Sequence, residues 1–264
     1  TFSIKNIGMR HTKNAGKIIF WLPLVNYLIL GALTALLAWL FIANEAYRQA
    51  FYILALMPPA VGIISLSYLL HGDVKTGFIG EFIGYLASLL IIPIGTYLIF
   101  GSAVSPFKIL EVLFYVILLP FIFSRIIHHS EAKAKKVVEK DAVKSIINVC
   151  YAIVFYITIG INRDVFFQDY NSLIIIALIF LFLKFGIGTI IMLALKNRIR
   201  KSSEVLYILF STFKSGGAAM AIALLIIGRE ATFPLAVESI IIPAYIIYLQ
   251  WAVPKYLAKP LHKS

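Results

Sequence analysis

Four ionisable side chains stand where an apolar chain has least use for them. Lys214 opens the stretch STFKSGGAAMAIALLIIG, residues 211–228, beside Ser215, Gly216 and Gly217. Glu81 lies in KTGFIGEFIGYLASLL, Lys184 in ALIFLFLKFGIG and Glu238 in FPLAVESIII. At the centre of a bilayer each such group costs about 3 kcal/mol even on lenient scales, so it faces protein or water and has a partner or a task. Two acids and two bases leave the interior neutral. The expected pairs are Lys214 with Glu81 and Lys184 with Glu238. A structural salt bridge between helices is one reading. The other is that Lys214 or Glu81 changes protonation during a transport cycle, since buried Lys and Glu shift their pKa readily.

These groups sit close to two interruptions. In LMPPAVGIISLSYLL, Pro58 and Pro59 lack N–H groups and clash with the preceding turn. In KSGG, Gly216 and Gly217 permit backbone angles that other residues avoid. Main-chain groups freed at membrane depth must face protein or a wet cavity. The ends of half-helices also carry partial charges. Two breaks that cross would form a polar site from the backbone, whereas each alone reads equally as a kink or close packing. Ser65 and Ser67 follow the first break and could bind a solute or bond back to their own helix. Pro59 to Glu81 and Gly216 to Glu238 are both 22 residues, which suggests a repeat.

The chain that must position these residues is 264 residues long and 61% hydrophobic, well above the 45–50% or so of a soluble domain. About 20 apolar residues span a bilayer, and eight such runs are legible: 18–43, 46–70, 77–100, 106–127, 145–161, 172–195, 203–227 and 231–252. The fold class expected is all-α, a polytopic membrane protein with an inverted repeat and two broken, crossing helices. Residues 1–101 form the first triplet of spans, 102–171 the middle helices with the charged connector 125–144, and 172–264 the second triplet. With the start of the chain in the cytoplasm, eighteen Lys/Arg fall inside and four outside (Arg48, Lys108, Arg163 and Arg229). This bias predicts a cell-membrane protein, inner in bacteria, with both ends of this chain cytoplasmic. It also accounts for most of the net charge of +12 without nucleic acid. The chain opens on TFSIKNIGMRHTKNAGK, without Met or a cleavable signal pattern, so a piece of a longer protein is expected.

Other chemistry is thinly represented. There is no Walker motif, no GxGxxG before a helix and no HExxH, and no nucleophile–base pair stands out. An enzyme is not expected, nor a cofactor, and no metal site is assigned. His128-His129 lack a third ligand and read as surface residues, Asp73 reads as a solvated residue or the cap of the next span, and Glu111 and Glu204 read as interfacial. Membrane lipid and a small-molecule substrate are the expected partners, and oligomeric state is not indicated.

The two broken stretches, LMPPAVGIISLSYLLHGDVKTGFIGEFIGYLASLLIIPIG and STFKSGGAAMAIALLIIGREATFPLAVESIIIPAYIIY, resemble the bile acid–sodium symporter family, whose superfamily includes the auxin efflux carriers. The resemblance implies ten spans in two inverted five-helix repeats, with a core of crossed, broken helices moving against a panel. It implies that the present chain begins after the second span, with its two triplets as the core. A gap-free placement puts the family's sodium-binding Ser-Asn pair on Ile63-Ile64, its Glu on Phe210, the neighbouring Gln on Lys214 and a Thr ligand on Glu81. The oxygens that sodium needs are largely absent from these positions, and an ammonium could stand in for a cation. The function expected is secondary active transport of a small organic solute, an anion being favoured, without ordinary sodium coupling. The alternatives are a sodium-coupled symporter of the same family and a transport-inactive membrane sensor or scaffold. The residues assigned to the substrate or ion path are Pro58, Pro59, Ser65, Ser67, Glu81, Lys184, Lys214, Ser215, Gly216, Gly217 and Glu238.

Overall fold

The computed structural model describes residues 13–101 and 162–257 apart from residue 197, with a few isolated positions between them. The spans expected at 106–127 and 145–161, the connector 125–144 and most of the middle segment 102–171 lie outside the described residues. Within them the chain is all-helical, without a strand. Four stretches are long and apolar enough to cross a membrane: Gly16–Phe41, Val74–Phe100, Tyr170–Leu195 and Glu230–Lys255.

The first stretch is α1 (Lys13–Leu24) and α2 (Ala32–Phe41), joined by a wider π-type turn, Val25–Gly31. Then come α3 (Glu45–Leu56), α4 (Gly62–Leu69) and α5 (Val74–Phe100). After the undescribed middle, α6 (Arg163–Gln168) leads to α7 (Tyr170–Leu181) and α8 (Ile187–Leu195), again joined by a π-type turn, Phe182–Gly186. The chain ends in α9 (Lys201–Phe210), α10 (Gly216–Ile226), a short 3-10 turn and α11 (Phe233–Leu257).

The stretches 46–70 and 203–227 are thus each two short helices. Their caps and stops are legible chemistry. The Asn44 side chain accepts from the Tyr47 N–H to start α3, and Asp73 accepts from Thr76 to start α5. Met57, held extended by the following proline at φ −68° and ψ 150°, ends α3. The second stop has no proline. There the Ser211 and Thr212 hydroxyls both bond back to the Ile208 carbonyl, the local competition that weakens a helix end.

Two apolar clusters hold the described helices together. One gathers Phe51, Phe180, Met57, Ala219 and Phe233; the other gathers Leu22, Ile63, Phe210, Phe213 and Tyr245. Both breaks contribute to them, Met57 to the first cluster and Phe213 to the second. Outside them, large apolar side chains such as Trp39, Leu90, Leu98 and Ile247 are more than half exposed, which suits an outer face solvated by lipid. Along α5 the buried residues Gly77, Gly80, Glu81, Gly84 and Ser88 recur at helical spacing, so one narrow, small-residue face packs inward. Pro59 fills the notch at Gly84, where an added Cβ would lie 2.7 Å from the proline Cδ.

Candidate functional site: the crossing of two breaks

The interruptions at 57–61 and 211–215 meet. Pro59 and Lys214 form an isolated antiparallel bridge, and the Ser215 N–H donates to the Pro58 carbonyl over 2.9 Å. Pro58, Pro59 and Lys214 are buried there, Ser215 and Gly216 are half-buried, and Gly217 is exposed.

Carbonyls left over at the ends of α3 and α9 need donors, because a buried orphan costs about 1–3 kcal/mol. Buried side chains supply them. The Lys214 ammonium donates to the Met57 carbonyl at 2.9 Å and to Asn26 Oδ1 at 3.1 Å, 4.9 Å from the centre of the Tyr27 ring. Asn26 turns its amide the other way, donating to the carbonyls of Phe210 at 2.8 Å and Phe213 at 2.9 Å. The Lys184 ammonium donates to the Thr212 carbonyl at 2.6 Å and to Glu238 Oε1 at 2.7 Å, and lies 5.3 Å from the Phe213 ring centre. Each broken helix therefore ends its first half against an ammonium, a side-chain oxygen and an aromatic face. A helix C-terminus carries about half a negative charge, so the backbone itself supplies counter-charge.

Both π-type turns serve this arrangement. Asn26 and Tyr27 lie in the first and Lys184 in the second. A π-type turn shifts the register of the side chains around it, and such turns are frequent at functional sites.

The expected pair of Lys184 with Glu238 is present and almost wholly buried. The other Glu238 oxygen, Oε2, lies 3.0 Å from where a Cβ on Gly216 would stand, so the glycine leaves room for the carboxylate beside the start of α10. The expected pair of Lys214 with Glu81 is not formed. Lys214 is satisfied by Asn26 and the Met57 carbonyl, and Glu81 is 4% exposed with Oε2 lacking any hydrogen-bond partner. The end of α3 serves Lys214 as counter-charge in place of the carboxylate.

The serines stand apart from the lysines. Ser67 is buried and bonds back to the Ile63 carbonyl at 2.7 Å, while Ser65 is exposed on the other face of α4. Glu204 is a second correction. It is fully buried in the first turn of α9, both oxygens unpartnered, with Lys201 and Lys196 close enough to act on it electrostatically. Asn26 and Tyr27 were missed in sequence, although an amide inside the apolar run LPLVNYLIL is the same kind of signal as a buried lysine.

No protein-family model matches the chain, and a search of curated proteins finds no match.

Proposed function

We propose that the chain is the core of a secondary active transporter that carries a small organic anion by alternating access. The observation that carries this reading is the meeting of two helix breaks at buried main-chain dipoles, each capped by an ammonium. Paired broken helices in matching positions are the pointer to a transporter's binding site.

An inverted repeat is supported by a constant offset of 157 residues, the separation of Met57 and Lys214. The same offset relates Glu81 to Glu238 and the first residues of the two π-type turns, Val25 and Phe182. On this reading both triplets are transmembrane, in opposite orientations, with both ends of this chain cytoplasmic. The likeness to the bile acid–sodium symporter superfamily fits the same arrangement. The geometry argues against that family's usual coupling. Carbonyl ends and side-chain oxygens converge on two points, and a lysine ammonium takes the ligands at each that a sodium ion would need. An anion is favoured because Lys214 has no carboxylate partner, and because Gly217, the second residue of α10, faces open space, with nothing within 4 Å of a Cβ placed there.

The test is uptake of labelled acetate, lactate and benzoate into proteoliposomes, with choline or sodium as the only cation. Uptake by the wild-type chain in choline, abolished by Lys214→Ala, is the expected result. A strict sodium requirement would return the protein to a sodium symporter. No uptake of any probe, with normal behaviour of Lys214→Ala in cells, would favour the sensor or scaffold.

A further inference from the structure

We infer that the coupling cation of this carrier is a proton, and that the Glu81 carboxyl carries it. The inference rests on the carrier reading and on a difference between the two halves of the crossing. In the second half Glu238 has a tethered cation, with Lys184 on Oε1 at 2.7 Å. The residue 157 positions before Lys184 is Tyr27. Its hydroxyl donates to the Gly84 carbonyl at 2.8 Å, one turn along α5 from Glu81. The first half keeps the acid but replaces the ammonium with a phenol. No side chain of the described residues gives Glu81 Oε2 a hydrogen bond.

The surroundings select the kind of cation. Glu81 shares its face of α5 with Gly77, Gly80 and Gly84. Against these glycines lie Leu206 and Ser67, Leu22 and Phe210, and Pro59 respectively. The Ser67 hydroxyl donates to its own helix. A sodium ion needs a shell of oxygens that this lining does not offer, whereas a proton needs one carboxylate oxygen.

The titratable groups on the elements packed against this region are few. They are Tyr27 and, at its start, Lys13 and Lys17 on the first stretch; Lys75, Tyr85 and Tyr97 on α5 itself; Tyr52 on α3, whose Glu45, Tyr47 and Arg48 lie in its opening turns; Tyr68 on α4, 79% exposed and turned outward; Lys201, Glu204 and Tyr207 on α9; and Lys214 at the break. Lys214 is engaged by Asn26 and Met57. The proton is taken up from water on one side, forming the carboxyl O–H bond, and returned to water on the other as that bond breaks. No other bond changes. With Glu81 protonated, the Lys184–Glu238 pair neutral and Lys214 charged, the crossing carries one positive charge, which suits an anion travelling with the proton.

The test has two arms. In detergent, with choline as the only cation, infrared absorption of the protonated-carboxyl C=O stretch is followed through a pH titration. The wild-type band should be lost in Glu81→Gln and retained in the Lys184→Met/Glu238→Gln double variant, which removes the tethered pair as a unit. A band that survives Glu81→Gln, or that sodium abolishes at constant pH, overturns the inference. In proteoliposomes, an inward proton gradient should drive uptake of whichever of the three probes is carried, with the drive lost in Glu81→Gln. Uptake indifferent to that gradient overturns the inference and leaves the carrier standing. No uptake of any probe beside a normal Glu81 band overturns the carrier reading itself.

Discussion

On the proposed repeat, Lys184 with Glu238 and Tyr27 with Glu81 are counterparts 157 residues apart, and they meet the same electrostatic problem differently. In the second half the chain provides both charges. The desolvation cost is offset by a 2.7 Å ion pair, and the ammonium also satisfies the Thr212 carbonyl. In the first half it provides only the acid, on a face of α5 whose glycines meet Leu206 and Ser67, Leu22 and Phe210, and Pro59. A permanently paired site is a structural part, while an acid without a tethered partner responds to whatever the surroundings supply. The difference teaches that two halves proposed as repeats can share an acid and differ in what faces it.

The comparison breaks most visibly at the tethered pair. Lys184→Met leaves a buried carboxylate alone and is expected to destabilise by about 3–5 kcal/mol, read from unfolding of the detergent-solubilised protein. Adding Glu238→Gln should recover most of that loss. If the single and double variants are equally stable, the pair holds nothing together. Asn26→Leu strips donors from the Phe210 and Phe213 carbonyls and an acceptor from Lys214. Its expected cost is about 1–3 kcal/mol, with both lysines in place.

Tyr27→Lys sharpens the comparison by giving the first half the cation it lacks. It forfeits the hydrogen bond to Gly84, for about 1 kcal/mol. It should abolish the protonated-carboxyl band assigned to Glu81, and persistence of that band would show that the two halves do not correspond. The smallest change is expected from Glu81→Gln. An unpaired acid replaced by its amide should alter stability by less than about 1 kcal/mol, in contrast to Glu238→Gln, which leaves Lys184 without its anion. Comparable losses from the two glutamines would erase the distinction.

Much of this arrangement was written in residue types. Pro58-Pro59 marked the first break because proline cannot continue an ordinary helix, whereas Gly216-Gly217, expected to interrupt the second stretch, are the first residues of α10, and the break lies just before them at 211–215. Asp73 read as a cap and is one. The pairing of Lys184 with Glu238 followed from two charges in apolar runs. What the sequence hid was competition. Nothing in its spacing says that Lys214 will choose the carbonyl end of α3 over Glu81, since that depends on where a helix terminus points. Asn26 was overlooked because an uncharged amide stands out less than a lysine, although its amide satisfies two carbonyls at the second break. Glu204 sits near a predicted span end and so read as interfacial, and only the packing of α9 against α4 and α8 removes it from water.

The bridge between Pro59 and Lys214 has a mechanical consequence. Proline offers no N–H, so neither Pro58 nor Pro59 can return a hydrogen bond to the facing strand, and the contact cannot lengthen into a ladder. The two halves are tied at this point by the Ser215 N–H on the Pro58 carbonyl and by the Lys214 ammonium on the Met57 carbonyl. The junction is therefore a short clasp, one part main chain and one part side chain.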